Sequence, residues 1–191
     1  MVETSNWIPK DAILVTYATR SGSTAEVAEV IAYEIGQFCG RVDVAPVQRV
    51  RDLRPYWAVV LGSPVRHARW LPEAIAFLSA QRATLRLRLM GVFQLCGSLC
   101  QDTPQNREAA RQAYEEIRRT FPEFRPLEVG MFAGRVSEEM LQHAVHGGQT
   151  ALKPGDWRDW EAIREWGQKM GKILFGMCQP SLPVRLPPEK L

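Results

Sequence analysis

The sequence predicts an α/β fold: a doubly wound, five-stranded parallel sheet in the order 2-1-3-4-5, with helices on both faces. Three observations carry this. Short apolar or alternating runs recur along the 191 residues and alternate with stretches of helical periodicity. Connecting parallel strands requires such crossover helices. Finally, the loops after the first and third runs are rich in Gly, Ser and Thr or in Gly, Ser and Pro, and in this strand order both fall at the crevice where strands one and three diverge.

Strand one, about 12–18, is the apolar run Ile13, Leu14 and Val15. It breaks into Thr19-Arg20-Ser21-Gly22-Ser23-Thr24, and a helix over about 23–38 follows, with Val27, Ile31 and Ile35 on one face and a capping-box spacing from Ser23 to Glu26. Arg41–Val47 alternates and contains Pro46, which places strand two at a sheet edge. Residues 48–56 hold one short helical turn. Trp57–Leu61 is strand three, ending in Gly62-Ser63-Pro64, and Pro72 opens the next helix with Ala76, Phe77 and Ala80 available for packing. Strand four spans about 88–96 and ends in the loop Cys96–Cys100. Asp102-Thr103-Pro104 then starts a helix with Ala110, Ala113, Tyr114 and Ile117 on one face, and Leu127–Phe132 is strand five. Gly155-Asp156 offers an N-cap to the last helix, where Trp157, Trp160, Ile163, Met170, Ile173, Leu174 and Met177 recur at helical spacing. A tryptophan stripe of this kind is assigned to packing.

Composition bounds the function. The length suits one domain, expected over 1–178, with a Pro-rich extended tail over 179–191. The chain shows no signal peptide and no apolar run long enough to span a bilayer, so a cytoplasmic protein with at most peripheral membrane contact is expected. Cys39, Cys96, Cys100 and Cys178 are too scattered for a disulfide framework or a zinc ribbon. His143 and His146 share a spacing but lack further ligands, so no metal is assigned. The net charge of +3 is mostly arginine on the basic side, suited to carboxylates and phosphates, and no basic stripe points to nucleic acid.

The loop at 19–24 carries the first chemical signal. A strand, a hydroxyl-rich turn and a helix N-terminus together gather backbone N–H groups and hydroxyls at the positive end of a helix dipole, where a phosphate is favoured. Gly22 is followed by Ser23-Thr24 rather than Lys-Ser/Thr, which argues against a triphosphate loop, and the three-glycine dinucleotide pattern is absent. A single terminal phosphate remains. The loop resembles the FMN-phosphate loop of the flavodoxin family, and its Thr-Arg-x-Gly-x-Thr form is most similar to the flavodoxin-type, quinone-dependent protoporphyrinogen dehydrogenases.

That resemblance extends over roughly residues 11–175. Gly62-Ser63-Pro64-Val65-Arg66-His67-Ala68-Arg69-Trp70 is similar to the family segment that wraps the isoalloxazine ring, and Asp156-Trp157-x-Asp159-Trp160 to the start of the dehydrogenases' last helix. The resemblance implies FMN as cofactor. Thr19, Ser21, Gly22, Ser23 and Thr24 would hold its phosphate, with Arg20 adding charge. Ser63, Pro64, Val65, Arg66, His67 and Ala68, with Cys96, Gly97 and Ser98, would surround the ring, and Trp70 or His67 would stack. Arg66 and His67 become the candidate catalytic residues. Arg66 and Arg69 either stabilise an anionic reduced flavin, grip the carboxylates of a substrate, or are solvated loop charges.

The reaction implied is hydride removal from a reduced donor to the flavin N5, with electrons passing on to a quinone; a porphyrinogen is the candidate substrate and heme biosynthesis the setting. Two other readings stand beside it. One is a non-enzymatic electron carrier docking on redox partner proteins, against which the basic charge speaks. The other is an interaction module that has lost flavin. The Arg135–Pro154 segment is shorter than the dehydrogenases' membrane- and quinone-facing insertion, and with Trp70 it is a candidate homodimer surface. Cys96 and Cys100 are read as small buried thiols rather than a redox pair.

Overall fold

The computed structural model describes residues 12–138, 141 and 153–178. The expected Pro-rich tail, both paired histidines and most of the 135–154 segment lie outside these residues. Five strands run parallel: β1 (Ala12–Tyr17), β2 (Arg41–Pro46), β3 (Tyr56–Arg66), β5 (Leu89–Cys96) and β6 (Val129–Ala133), in the spatial order β2-β1-β3-β5-β6. This is the expected doubly wound order, with β2 at an edge as Pro46 requires. An additional two-residue strand, β4 (Arg69–Trp70), pairs antiparallel with the end of β3. The helices are α1 (Ser23–Gly36), α2 (Pro72–Ala80), α3 (Arg82–Leu85), α4 (Pro104–Thr120) and α5 (Trp160–Cys178). A small antiparallel pair, β7 (Arg135–Val136) with β8 (Gly155–Asp156), lies between β6 and α5 in the chain.

The period-two alternation of the strands builds two cores. Ile13, Val15, Ala58, Val60 and Phe93 point toward α1 and α5, where they meet Val27, Ile31, Ile35, Ile163, Trp166, Met170 and Leu174. Leu14, Val59, Leu61 and Val92 point the other way, toward Phe77 and Leu78 of α2 and Ile117 of α4. Small residues let α1 and α5 approach closely. A methyl group at Gly171 would lie 3.2 Å from the Ile35 Cα, and one at Gly167 would lie 2.9 Å from the Glu34 Cβ.

β3 does not stop at Leu61 but continues through Gly62-Ser63-Pro64-Val65 to Arg66, because β5 pairs with it as far as Val65↔Cys96. Gly62 allows this. A side chain there would meet the Phe93 ring at 2.1 Å. Trp70 is buried rather than available for stacking: its Nε1–H donates to Gln94 Oε1 at 2.9 Å, and Gln94 Nε2 donates to the Ala110 carbonyl at 2.6 Å. The last helix is not capped by Asp156. Asp159 caps it, its Oδ1 accepting from the backbone N–H groups of Glu161 and Ala162 at 3.0 Å each. Trp157 therefore precedes the helix and is 44% exposed, outside the core. No helix among the described residues is long and apolar enough to cross a membrane.

Candidate functional site

At the carboxyl end of β1 the chain turns through Thr19–Gly22 into α1. Gly22 is the N-cap and adopts a left-handed conformation at φ 84°, which a side chain would strain. Its N–H donates to Thr19 Oγ1 at 3.0 Å, so Thr19 shapes the turn from within. No side chain caps the first turn of α1. The expected capping box is not made, because Glu26 turns outward to two arginines, Arg135 and Arg158. Ser23 and Thr24 are buried in this first turn, and Thr24 Oγ1 is fully buried with no hydrogen-bond partner among the described residues.

These residues form one side of a groove. Thr19, Arg20, Ser21, Ser23 and Thr24 line it together with Pro64, Val65 and Arg66 from β3, Leu95 and Gly97 from the end of β5, and Gly134 and Arg135 before and in β7. The three loops expected to converge are thus brought together at the carboxyl ends of β1, β3 and β5, the switch point of the sheet. Not every candidate side chain reaches the groove. Ser63 is buried, its hydroxyl accepting from the Leu71 N–H at 3.1 Å. Cys96 is buried in β5, and burial pushes its thiol up to about 12. Cys100 is pushed up by burial as well, so neither sulfur is a thiolate at neutral pH. Ser98 sits in the 3-10 turn Gly97–Cys100. His67 and Ala68 form the tip of the β3–β4 hairpin, exposed and both with positive φ, 49° and 60°. Such a two-residue loop is of the type I′ kind, which normally selects Asn and Gly.

The arginines divide by partner. Arg20 pairs with Glu73 in the first turn of α2 at 2.9 Å, and Arg69 reaches Glu116 of α4 at 3.4 Å, away from the groove. Arg66 lines the groove. Two arginines were not singled out from sequence. Arg135 stands on β7 at the groove wall, ion-paired to Glu26. The Arg158 side chain is 3% exposed and binds Asp156 (Nε to Oδ1, 2.7 Å), Glu26 (2.8 Å) and the Ser23 carbonyl (3.2 Å), with its guanidinium 4.3 Å from the centre of the Trp160 ring. Burial tends to raise the Glu26 carboxyl, but the hydrogen bonds from Arg158 and Arg135 prevail and hold it below its usual range. Asp156 is held low chiefly by its hydrogen bonds to Arg158. The signal for Arg158 was present in Asp156-Trp-Arg-Asp-Trp160, where a cation lies between acids and aromatics, but that pattern also reads as a helix start.

A family profile described as a flavodoxin domain matches residues 14–145. The chain belongs to the flavodoxin family. In sequence it is 23% identical over 175 residues to the protoporphyrinogen IX dehydrogenase [quinone] of Escherichia coli (strain K12), covering 84% of this chain and 94% of that protein. In structure it is similar to oxidised flavodoxin 1 from Bacillus cereus, with a TM-score of 0.55 at 17% identity, covering 88% of this chain and 99% of that one. It is also similar to the rubredoxin oxygen:oxidoreductase of Desulfovibrio gigas, with a TM-score of 0.54 at 17% identity. The match covers 88% of this chain but only 37% of that longer protein. These structural likenesses show the fold.

Family membership makes FMN the cofactor and redox chemistry the broad activity. The groove fits the phosphate end of that molecule. An uncapped helix N-terminus and a buried, unpartnered threonine hydroxyl lie together in the first turn of α1, both able to donate to an anion, and the αL glycine closes the turn that leads into them.

Proposed function

We propose that this flavodoxin-family chain is an FMN-dependent oxidoreductase of the protoporphyrinogen dehydrogenase kind, passing electrons from a reduced donor to a quinone. The observation that carries the reading is the basic rim of the groove, where Arg20, Arg66 and Arg135 stand beside the hydroxyls of Thr19, Ser21 and Thr24. The sequence likeness to a quinone-dependent protoporphyrinogen IX dehydrogenase supports the same substrate class. In this reading Thr19, Ser21, Gly22, Ser23 and Thr24 hold the phosphate. Pro64, Val65 and Gly97 border the ring, Ser63 and Cys96 contribute through backbone only, and Ser98 lies beside Gly97 at its pyrimidine end. When bound, FMN supplies the two-electron acceptor.

Arg66 is assigned to the carboxylates of the donor, because a bidentate guanidinium suits a propionate-bearing substrate. His67 and Ala68, at the exposed hairpin tip, face an incoming substrate or partner rather than the buried part of the groove. The test is to load the protein with FMN, supply protoporphyrinogen and menaquinone, and follow protoporphyrin fluorescence. Protoporphyrin formation that requires the quinone and falls in Arg66→Ala supports the assignment. Retained flavin without protoporphyrin formation would overturn it and favour a carrier that delivers electrons to a redox partner protein.

A further inference from the structure

Of the described residues, five have a buried side-chain polar atom without a hydrogen-bond partner, and two of those atoms belong to residues lining the same groove. One is Thr24 Oγ1, in the expected phosphate loop. The other is Arg135 Nε, on β7, more than a hundred residues later in the chain. We propose that Arg135 is a cofactor-phosphate residue, giving its guanidinium to the phosphate of FMN in exchange for Glu26. The inference rests on the FMN assignment and adds to it a charged, selective contact.

The exchange follows from how the local charges are held. Glu26, in the first turn of α1, is shared by Arg135 and Arg158. Arg158 cannot leave: its side chain is 3% exposed, bonded to Asp156 and to the Ser23 carbonyl, and stacked on Trp160. Arg135 has Glu26 as its acidic partner, and its side chain is 39% exposed. Its backbone is fixed by the Arg135↔Asp156 pairing of β7 with β8, so the guanidinium pivots about a firm base. A phosphate dianion at the N-terminus of α1 outweighs a single, half-exposed carboxylate as a partner for that guanidinium. Arg158 keeps Glu26 satisfied once Arg135 has moved. The cradle thus discriminates by charge between a phosphorylated flavin and one without phosphate.

The test uses two probes that differ only by the phosphate. FMN and riboflavin are titrated by flavin fluorescence into wild type, Arg135→Gln and Arg135→Lys, and the ratio of the two dissociation constants is compared. A charge-assisted contact to phosphate predicts that the preference for FMN over riboflavin falls about tenfold in Arg135→Gln and is largely kept in Arg135→Lys. Riboflavin binding to the same variant reports any loss of fold, which cancels in the ratio. An unchanged ratio in Arg135→Gln overturns the inference while leaving FMN binding intact. Failure of wild type to bind either flavin overturns it together with the cofactor assignment.

Discussion

The groove has two walls built from different material. The wall of residues 19–24 is backed by buried groups: Arg158 holds the Ser23 carbonyl and Glu26 from behind, and Thr24 is wholly enclosed. The wall of residues 64–70 runs out from the sheet into an exposed turn, with His67 and Ala68 both in left-handed conformations that favour other residues. One wall is stabilised by what lies behind it, and the other is held in a strained shape by pairing at its base. A rigid wall suits the end of a ligand that stays bound. The strained, exposed wall suits the end where a substrate or partner arrives, since backbone strain persists only where the surrounding structure over-determines it.

The comparison breaks first at Arg158. Arg158→Ala leaves Glu26 and Asp156 without their buried cation, and the expected loss is about 3 kcal/mol, at the low end for a broken buried pair because both carboxylates are nearly half exposed. Chemical denaturation measures it. The pH dependence fixes the cause. Asp156 has a depressed pKa in the folded state, so its contribution is full above the unfolded value of about 4 and is lost as pH falls through the folded value. The gap between wild type and Arg158→Ala therefore narrows below about pH 4. A constant gap would assign the loss to packing on Trp160 instead.

Gln94 sharpens the base of the second wall. Gln94→Leu strips the buried Trp70 Nε1–H of its acceptor and takes a side-chain donor from the Ala110 carbonyl inside α4, with an expected cost of about 2 kcal/mol by thermal or denaturant unfolding. The smallest effect has the opposite sign. Ala68→Gly relieves a φ of 60° and is expected to stabilise by about 1 kcal/mol. A destabilised Ala68→Gly would mean that the turn is not strained.

The fold was legible because its signals are periodic and repeated. The apolar run Ile13–Val15, Pro46 at the edge and Pro72 at a helix start each point one way, and the five long parallel strands follow the expected order. The first wall was largely legible too, since Thr19–Thr24 is local in sequence. What the sequence did not disclose depends on distant partners. Ser23 and Glu26 have capping-box spacing, but Glu26 is drawn off by Arg135 and Arg158, contributed from beyond β6. Trp70 read as a stacking residue because nothing local shows that Gln94 is waiting for its indole N–H. Pro64 read as the end of a strand, yet β5 and the fit of Gly62 over Phe93 carry β3 through it.

The central claim is that the groove at the end of β1 is an FMN site held from its phosphate end. It is tested most directly by the absorbance spectrum of the purified protein after incubation with FMN and removal of the excess, in parallel with a thermal melt. The account predicts a retained flavin spectrum and a stabilisation of about 2.7 kcal/mol at a hundredfold excess of FMN over its dissociation constant. A folded protein that keeps no flavin and melts unchanged with FMN present would contradict it.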